Sequence, residues 1–197
     1  MAAQVIDAYF DYVSPFAYFL SCRLPDAALR WGVTVTWKPI ELHRLSNFEG
    51  GLPYSPSKRM YVGLDAARSA EFYGLPIQFP EPFPVQSARA LRVALAAQEH
   101  GIFDAVHRNL FRAAWAEQRD IGQETVLAEC VRAAGGDAIL QRAGAAEVNA
   151  RVLALTQEAE SRGVFGVPSV VVNGELFWGN DQLEMIEWRL RQIIAVR

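Results

Sequence analysis

Apolar residues near the start of the chain follow a strand, then a helix, then a second strand. Val5 to Phe10 is a short run rich in β-forming residues, and Val33 to Ile40 alternates with a period of two. Between them, Ser14-Pro15 has the form of a helix N-cap followed by proline at the first helical position. Such a β-α-β unit predicts parallel strands, with the helix starting at the carboxyl end of the first strand. Pro25 is expected to kink or split that helix.

The middle of the chain has the three- and four-residue spacing of amphipathic helices. Residues 43–56 come before it and contain two Gly and two Pro without any period, which indicates a loop. The proline-rich piece 76–84 is interpreted as an extended connector between two helices. The predicted helices span residues 57–73, 87–100, 102–117, 123–134 and 145–162.

After the last of these helices, the pattern returns to that of strands. Ser169 to Val172 is a β-branched run, Asn173-Gly174 is a strong hairpin signal, and Glu175 to Trp178 supplies the returning strand. A final helix follows, and Asp181 with Glu184 three residues later resembles its capping box.

The order of these elements predicts the fold class. Two parallel strands cannot complete a sheet alone, so the hairpin near the end of the chain is expected to join them. We therefore predict an α/β chain with a thioredoxin-like fold and a large α-helical insertion. Residues 1–42 and 163–197 form the predicted thioredoxin-like domain, and residues 43–162 form the predicted α-helical insertion domain.

Composition and charge narrow the class of protein further. The 197 residues are 51% hydrophobic and carry a net charge of −3, which excludes a disordered chain and makes nucleic acid an unexpected partner. No basic leader occurs at the amino terminus and no apolar run approaches the ~18 residues of a membrane span, so no membrane association is expected. Cys22 and Cys130 lie outside any CxxC or metal-ligand spacing. We expect a cytoplasmic protein without disulfides or bound metal.

Ser14 is the first candidate for chemistry. Its hydroxyl is predicted to lie at a helix N-terminus, among unpaired backbone N–H groups and the positive end of the helix dipole. An anion is expected to bind there. Taken alone, however, Ser14-Pro15 is better interpreted as an ordinary structural N-cap.

Three stretches of the chain resemble the 2-hydroxychromene-2-carboxylate isomerases. They are FDYVSPFAYFLSCRLP after the first strand, FGVPS before the third, and LFWGNDQLEMIEWRL near the end. This family is similar to the kappa-class glutathione transferases and to disulfide oxidoreductases of the DsbA type. The oxidoreductases have a CxxC where this chain has Ser14-Pro15-Phe16-Ala17, so dithiol exchange is not expected at this position.

The resemblance implies an activity. It implies a glutathione-dependent isomerase that converts 2-hydroxychromene-2-carboxylate, or a related intermediate of aromatic degradation, to trans-o-hydroxybenzylidenepyruvate. Glutathione is then the cofactor, a small aromatic carboxylate is the substrate, and a homodimer is the expected assembly. Two alternatives stay open, namely a kappa-like glutathione transferase and a non-catalytic thioredoxin-fold binding or chaperone module.

The resemblance also implies roles for particular residues. Ser14 is expected to hydrogen-bond the glutathione thiolate. Val167-Pro168 is expected to be a cis peptide facing Ser14, which leaves the Val167 N–H and C=O free to pair with the cysteinyl unit. Asn180 and Asp181 are expected to cap the last helix and to receive the γ-glutamyl end. An arginine often follows in the family, where this chain has Gln182.

The remaining candidates have open interpretations. Lys58, with Arg59, opens the first inserted helix and is expected to bind the glycyl carboxylate of glutathione or the substrate carboxylate, unless it is solvated surface charge. His43 follows the second strand, where a surface role is the better interpretation. Cys22 is expected to be a buried small residue. One or two of the following aromatic residues are expected to line a pocket: Tyr9, Phe16, Tyr18, Tyr61, Phe165 and Trp178.

Overall fold

The computed structural model describes residues 4–48, 51, 53–136 and 138–195. The strands are β1 (Gln4–Phe10), β2 (Val33–Pro39), β3 (Ser169–Val172) and β4 (Glu175–Trp178). The helices are α1 (Pro15–Trp31), α2 (Pro56–Tyr73), α3 (Ala88–Glu99), α4 (Phe103–Trp115), α5 (Glu124–Arg132), α6 (Ile139–Ala143), α7 (Ala146–Ser161) and α8 (Leu183–Ala195). No helix in this described part combines the length and apolar character needed to cross a membrane.

Both ends of the chain meet in one four-stranded sheet with the order β2-β1-β3-β4. Strands β1 and β2 pair in parallel, as the β-α-β pattern predicts, whereas β3 runs antiparallel to β1 and β4 antiparallel to β3. Asn173 and Gly174 both have positive φ, at 49° and 85°, which is the backbone of a type I′ hairpin turn. The predicted thioredoxin-like α/β fold is therefore confirmed.

Helix α1 begins at the carboxyl end of β1 and ends at Gly32, whose φ of 68° closes the helix in the left-handed region. Pro25 lies inside this continuous helix, so the split that it predicts does not occur. The Pro25 side chain is exposed, and the helix loses one backbone hydrogen bond at its surface. Cys22 is exposed on the same outer face as Asp26 and Leu29, so the prediction of a buried thiol is wrong.

The inserted segment is helical, as the spacing predicts. Among the α-helices of the described residues, the pattern missed α6, which has only five residues and is too short to show a period. The predicted loop contains two short 3₁₀ turns, Leu42–Arg44 and Ser46–Phe48, and its residues 49, 50 and 52 lie outside the described part. The connector at 76–84 contains no helix or strand, as expected.

The hydrophobic core joins the sheet to the inserted helices. Phe10 of β1, Leu24 of α1, Leu91 of α3 and Trp115 of α4 are all fully buried in one cluster. The Trp115 indole N–H also donates to the Tyr12 carbonyl at 2.8 Å, which fastens α4 to the turn after β1. Because this core is continuous, the division into a thioredoxin-like domain and an insertion domain stays a prediction.

Candidate active site

Ser14 lies at the start of α1 and is only 7% exposed. Its Oγ accepts a hydrogen bond from the Ala17 N–H at 3.2 Å, which is the capping bond that the sequence predicts. The same hydroxyl donates to the Val167 carbonyl at 3.2 Å. The Ser14 N–H donates to the Asp11 carbonyl, also at 3.2 Å, and closes the turn between β1 and α1. Ser14 therefore lies between a helix N-terminus and the segment that leads into β3.

The Val167-Pro168 peptide is cis and faces Ser14, as expected. Two further cis prolines, after Glu81 and Phe83, were not foreseen. The Val167 carbonyl accepts one hydrogen bond, from the Ser14 hydroxyl, and its second lone pair can still accept from a ligand, so its expected pairing with the cysteinyl unit stays a prediction. Within the described residues, the Val167 N–H has no protein acceptor, although Val167 is only 7% exposed. A buried N–H without a partner is a natural place for the backbone of a ligand to bind.

The turn after β4 is linked to this segment by the backbone. The Gly179 N–H donates to the Pro168 carbonyl at 3.0 Å. The turn that continues into Asn180 and Asp181 therefore starts beside the cis-proline segment that faces Ser14. Asn180 is only 5% exposed, whereas Asp181 is exposed to solvent. The buried amide is a fixed part of the turn, and the exposed carboxylate is available to a ligand.

The predicted cap of the last helix lies elsewhere. Helix α8 begins at Leu183, and its first backbone bond runs from the Ile186 N–H to the Gln182 carbonyl at 2.9 Å. Gln182 therefore occupies the cap position, and the prediction that Asn180 and Asp181 cap the helix is wrong by one to two residues. The Asp181 carboxylate instead lies against Gly179, where a Cβ would be only 2.5 Å from it.

Two residues that the sequence analysis missed hold Asn180 in place. The Arg23 guanidinium of α1 donates to the Asn180 carbonyl at 2.9 Å, and the Asn180 amide donates to the Tyr73 hydroxyl of α2 at 3.2 Å. Arg23 also lies 3.8 Å from the centre of the Tyr73 ring. These contacts join residues 157 and 107 positions apart, so no local pattern could have indicated them.

Lys58 is not part of this group of residues. It lies in the first turn of α2, its N–H donates to the Ser55 hydroxyl, and its ammonium is 4.3 Å from the centre of the Tyr54 ring. In the described part of the chain, no hydrogen bond or ion pair joins Lys58 to Ser14 or Asn180. Lys58 and Arg59 are both exposed. Their expected role in carboxylate binding stays a prediction.

The aromatic candidates divide into core and surface residues. Tyr9 and Tyr18 are buried in the core, at 0% and 4% exposure. Phe165 and Trp178 are each 46% exposed, and their ring centres are 5.1 Å apart. The Trp178 indole covers Gly166, since a Cβ on Gly166 would lie 2.8 Å from its nitrogen. Phe165 and Trp178 therefore form an aromatic wall next to Val167.

A cavity of about 330 Å³ adjoins the turn that carries Ser14. Its volume lies at the lower end of the range of small-molecule sites. The sequence analysis missed it, because its walls come from three distant segments. They are Asp11 and Val13 from the turn, Leu42, His43, Phe48 and Gly51 from the segment after β2, and residues 84–88 at the start of α3.

Asp11 is the buried charged group of this cavity, at 1% exposure. Its carboxylate accepts the Val13 N–H at 3.2 Å and the Leu42 N–H at 2.9 Å. Burial raises the pKa of Asp11, because the charged form loses its hydration, and these hydrogen bonds oppose the shift. His43 is an exposed member of the cavity, with its imidazole 3.9 Å from the Glu41 carboxylate.

Comparison with known proteins identifies the family of this chain. The family model for the DSBA-like thioredoxin domain matches residues 5–191. A 2-hydroxychromene-2-carboxylate isomerase of Sphingobium xenophagum is 32% identical over 93% of this chain and 96% of its own, and that of Pseudomonas putida is 30% identical over 93% of each. Glutathione S-transferase kappa 1 of Caenorhabditis elegans is 23% identical over 95% of this chain and 91% of its own.

A solved structure shows the same relationship. A 2-hydroxychromene-2-carboxylate isomerase has a TM-score of 0.86 and 29% identity, covering 97% of this chain and 96% of its own. The family match extends over nearly the whole chain, and the Ser14 turn and the cis-proline segment lie within it. The chain therefore belongs to the DSBA-like thioredoxin domain family and, within it, to the family of the 2-hydroxychromene-2-carboxylate isomerases.

Proposed function

We propose that this chain is a glutathione-dependent isomerase that converts 2-hydroxychromene-2-carboxylate, or a related intermediate of aromatic degradation, to trans-o-hydroxybenzylidenepyruvate. The observation that carries the proposal is the buried Ser14 hydroxyl at a helix N-terminus, hydrogen-bonded to the Val167 carbonyl. Ser14 and Ala17 occupy the positions of the two cysteines of a CxxC motif, so any sulfur chemistry here needs a sulfur from outside the chain. Relatives at 32% and 30% identity carry the isomerase name.

The residues around Ser14 suit glutathione as a ligand. The unpartnered Val167 N–H is placed to donate to the peptide backbone of the cysteinyl unit. The exposed Asp181 carboxylate suits the ammonium of the γ-glutamyl end. Two relatives in Caenorhabditis elegans are named kappa-class glutathione transferases, which supports glutathione as the ligand of this family.

The Ser14 hydroxyl has one proton, which it donates in a hydrogen bond to the Val167 carbonyl. If the cysteinyl N–H of glutathione donates to that carbonyl instead, the proton of Ser14 becomes available for the thiolate. The hydrogen bond from the cysteinyl N–H to the Val167 carbonyl and the one from Ser14 to the thiolate then replace the single bond between Ser14 and Val167. Ser14 and Val167 therefore act together, since the peptide contact at Val167 frees the donor at Ser14.

Stabilising the thiolate is a small part of the rate. A thiol with a pKa of about 8.5 is only ~3% ionised at pH 7, and lowering that pKa by ~2 units gives ~25-fold more thiolate. Because nucleophilicity falls as the pKa falls, only about threefold remains. The larger effect is to hold the sulfur against the substrate. Rigid placement of Ser14 and Val167 on α1 and next to β3 serves this purpose.

Bound glutathione would supply a nucleophilic sulfur that adds to the unsaturated, ring-opened substrate and leaves again after rotation about the freed carbon–carbon bond. The chain's own groups bind and orient the two molecules. The cavity lined by Asp11 and Val13 of the turn before Ser14 has the volume for the aromatic substrate, and its apolar lining from Val13, Phe48 and Val85 suits a planar ring. A free-thiol cofactor also agrees with a reducing cytoplasm, the location that the unpaired cysteines favour.

The same proposal includes a homodimer. Helix α2 exposes Met60, Leu64 and Phe72, at 69%, 58% and 82%, at spacings of four and eight residues. This spacing places the three side chains on one face of the helix. An exposed apolar stripe of this kind is typical of a surface that another protein covers, and we assign it to a second copy of the chain.

The test of the proposed function follows glutathione during turnover. The purified protein is mixed with glutathione and 2-hydroxychromene-2-carboxylate, and both product and free thiol are measured. We expect product to form only with glutathione, while the thiol concentration stays constant. Thiol consumed in proportion to product would identify a kappa-like transferase. If millimolar glutathione leaves Tm unchanged and no turnover occurs, the chain is a binding module and the proposal is wrong.

A further inference from the structure

The proposed steps leave the buried Asp11 carboxylate without a use. Asp11 is 1% exposed and lines the cavity at the turn between β1 and α1. Its protein donors come from two of the segments that wall the cavity, namely Val13 of the turn and Leu42 after β2. The carboxylate thus joins these two walls. This structural role leaves open what else the carboxylate of a cavity-lining residue can bind.

The hydrogen bonds of Asp11 leave room for a further donor. An ionised carboxylate has about four lone-pair sites, and the protein supplies donors from Val13 and Leu42. A buried carboxylate gains more from a further donor than an exposed one, because little water competes for it. The remaining sites therefore favour a ligand group with an O–H or N–H.

The surroundings of Asp11 restrict that ligand group further. Part of the lining is apolar, from Val13, Phe48 and Val85, and suits a flat ring. A carboxylate of the ligand would be repelled by Asp11 at close range. The walls thus favour a ring that points a hydroxyl at Asp11 and keeps its carboxylate away from it.

We propose that Asp11 is a specificity-determining residue that accepts a hydrogen bond from a hydroxyl group on the ring of the aromatic substrate. This inference rests on the proposed function and adds the group by which the substrate is recognised. No proton is transferred in this contact. Asp11 and Ser14 belong to one turn, since the Ser14 N–H donates to the Asp11 carbonyl at 3.2 Å. Recognition of the ring at Asp11 therefore orients the substrate relative to Ser14.

The experiment measures binding without turnover, using 2-hydroxycinnamate, 2-methoxycinnamate and cinnamate as probes. Calorimetry gives Kd for each probe, with and without glutathione, and Kd for glutathione is measured separately. For the unchanged protein we expect 2-hydroxycinnamate to bind about 10- to 100-fold more tightly than the other two, the usual effect of a hydrogen bond to a charged group. Equal Kd values for the three probes would overturn the inference, whether or not glutathione binds.

Two variants assign the effect to Asp11 and to the cavity. In Asp11→Asn we expect the preference for the hydroxyl to disappear, and a folded Asp11→Asn protein that keeps the preference contradicts the assignment. Ala88→Phe narrows the cavity at a half-buried position and is expected to weaken all three probes about tenfold or more.

The result for glutathione separates this inference from the proposed function. We expect Ala88→Phe to keep the glutathione Kd of the unchanged protein, because Ala88 is not among the residues around Ser14 and Val167. If Ala88→Phe binds the cinnamates normally, the cavity is not their site and the inference is wrong. If glutathione does not bind at all while 2-hydroxycinnamate is still preferred, the proposed function is wrong and the role of Asp11 stands.

Discussion

The Ser14 hydroxyl donates to the Val167 carbonyl at 3.2 Å, across 153 positions of the sequence. Ser14 also accepts the Ala17 N–H, so its oxygen is held from two sides. The one bond joins the first turn of α1 to the segment before β3, and these two ends of the chain together make the candidate site. Any variant that loses the hydroxyl changes both the helix cap and this connection.

Replacement of Ser14 by alanine tests the hydroxyl. We expect Ser14→Ala to lower kcat/KM about 10- to 100-fold, the usual loss for one hydrogen bond to a charged group. Loss of the N-cap is expected to cost about 1 kcal/mol of unfolding free energy. Steady-state kinetics and thermal unfolding measure the two effects. A folded Ser14→Ala protein with unchanged kcat/KM would remove Ser14 from the mechanism.

The chain contains a matched control for this variant. Ser55 is also an N-cap followed by proline, and its hydroxyl accepts the Lys58 N–H at 3.2 Å. Ser55→Ala therefore removes the same type of cap from α2. We expect Ser55→Ala to lose the stability of the cap alone, less than Ser14→Ala, which also loses the bond to Val167, and to keep kcat/KM unchanged. This comparison separates the chemistry at Ser14 from the general cost of losing a cap.

The exposed carboxylate of Asp181 gives a second test, which concerns affinity for glutathione. We expect Asp181→Asn to weaken glutathione binding about tenfold, because the amide has no charge to pair with the γ-glutamyl ammonium. Cysteinylglycine lacks the γ-glutamyl unit, so it is expected to bind equally to both proteins. Calorimetry measures these affinities. Glu184→Gln, an exposed acid in the first turn of α8, is the control and should bind glutathione normally.

Local chemistry made much of the fold predictable. The Ser14 cap, the Asn173-Gly174 turn and the β-α-β order are set by neighbouring residues, and each appears where the pattern places it. The family resemblance added the cis peptide at Val167, which spacing alone does not indicate. Helix α6 and the exposure of Cys22 were not predictable in this way. A five-residue helix has no measurable period, and the exposure of Cys22 depends on which face of α1 the core covers.

The supporting contacts of the site depend on tertiary structure. Arg23 and Tyr73 reach Asn180 across 157 and 107 positions. Asp11 reaches Leu42 across 31 positions, and the cavity appears only when three segments meet. In the sequence, Asp11 is simply the residue that ends the first strand. Its position three residues before Ser14 was the only local sign of a further role.

The apolar stripe of α2 gives a third prediction, which concerns the assembly. We expect the protein to be a dimer in sedimentation experiments and Phe72→Glu to be a folded monomer. Burying an unpaired charge against a second copy costs free energy and weakens the association. Leu29→Glu is the matched control, since Leu29 on α1 is also 82% exposed. That variant should stay dimeric. A dimer that is unaffected by Phe72→Glu would place the interface elsewhere.

His107 lies in a position that makes stability depend on pH. Its ring is 3% exposed, stacks on Phe103 with ring centres 4.6 Å apart, and has its Nδ1 3.1 Å from the Tyr12 hydroxyl. Burial lowers the pKa of His107 from 6.5 to about 3, because the imidazolium would lose its hydration among aromatic rings. The folded protein therefore keeps His107 neutral at pH values where the unfolded chain binds a proton.

The last prediction follows from this difference. As the pH falls from 6.5 towards 3, the unfolded chain takes up a proton that the folded chain does not, so His107 contributes a loss of about 1.4 kcal/mol of unfolding free energy per pH unit. The raised pKa of Asp11 acts in the opposite direction, since the folded protein takes up that proton first. We expect His107→Phe to lack the His107 contribution and to keep that of Asp11. Its unfolding free energy, measured with urea at several pH values, should therefore fall less, or rise more, on acidification than that of the unchanged protein. His100→Gln, at an exposed site, should keep the slope of the unchanged protein. Identical slopes in the unchanged protein and His107→Phe would mean that the His107 ring is accessible to protons in the folded state.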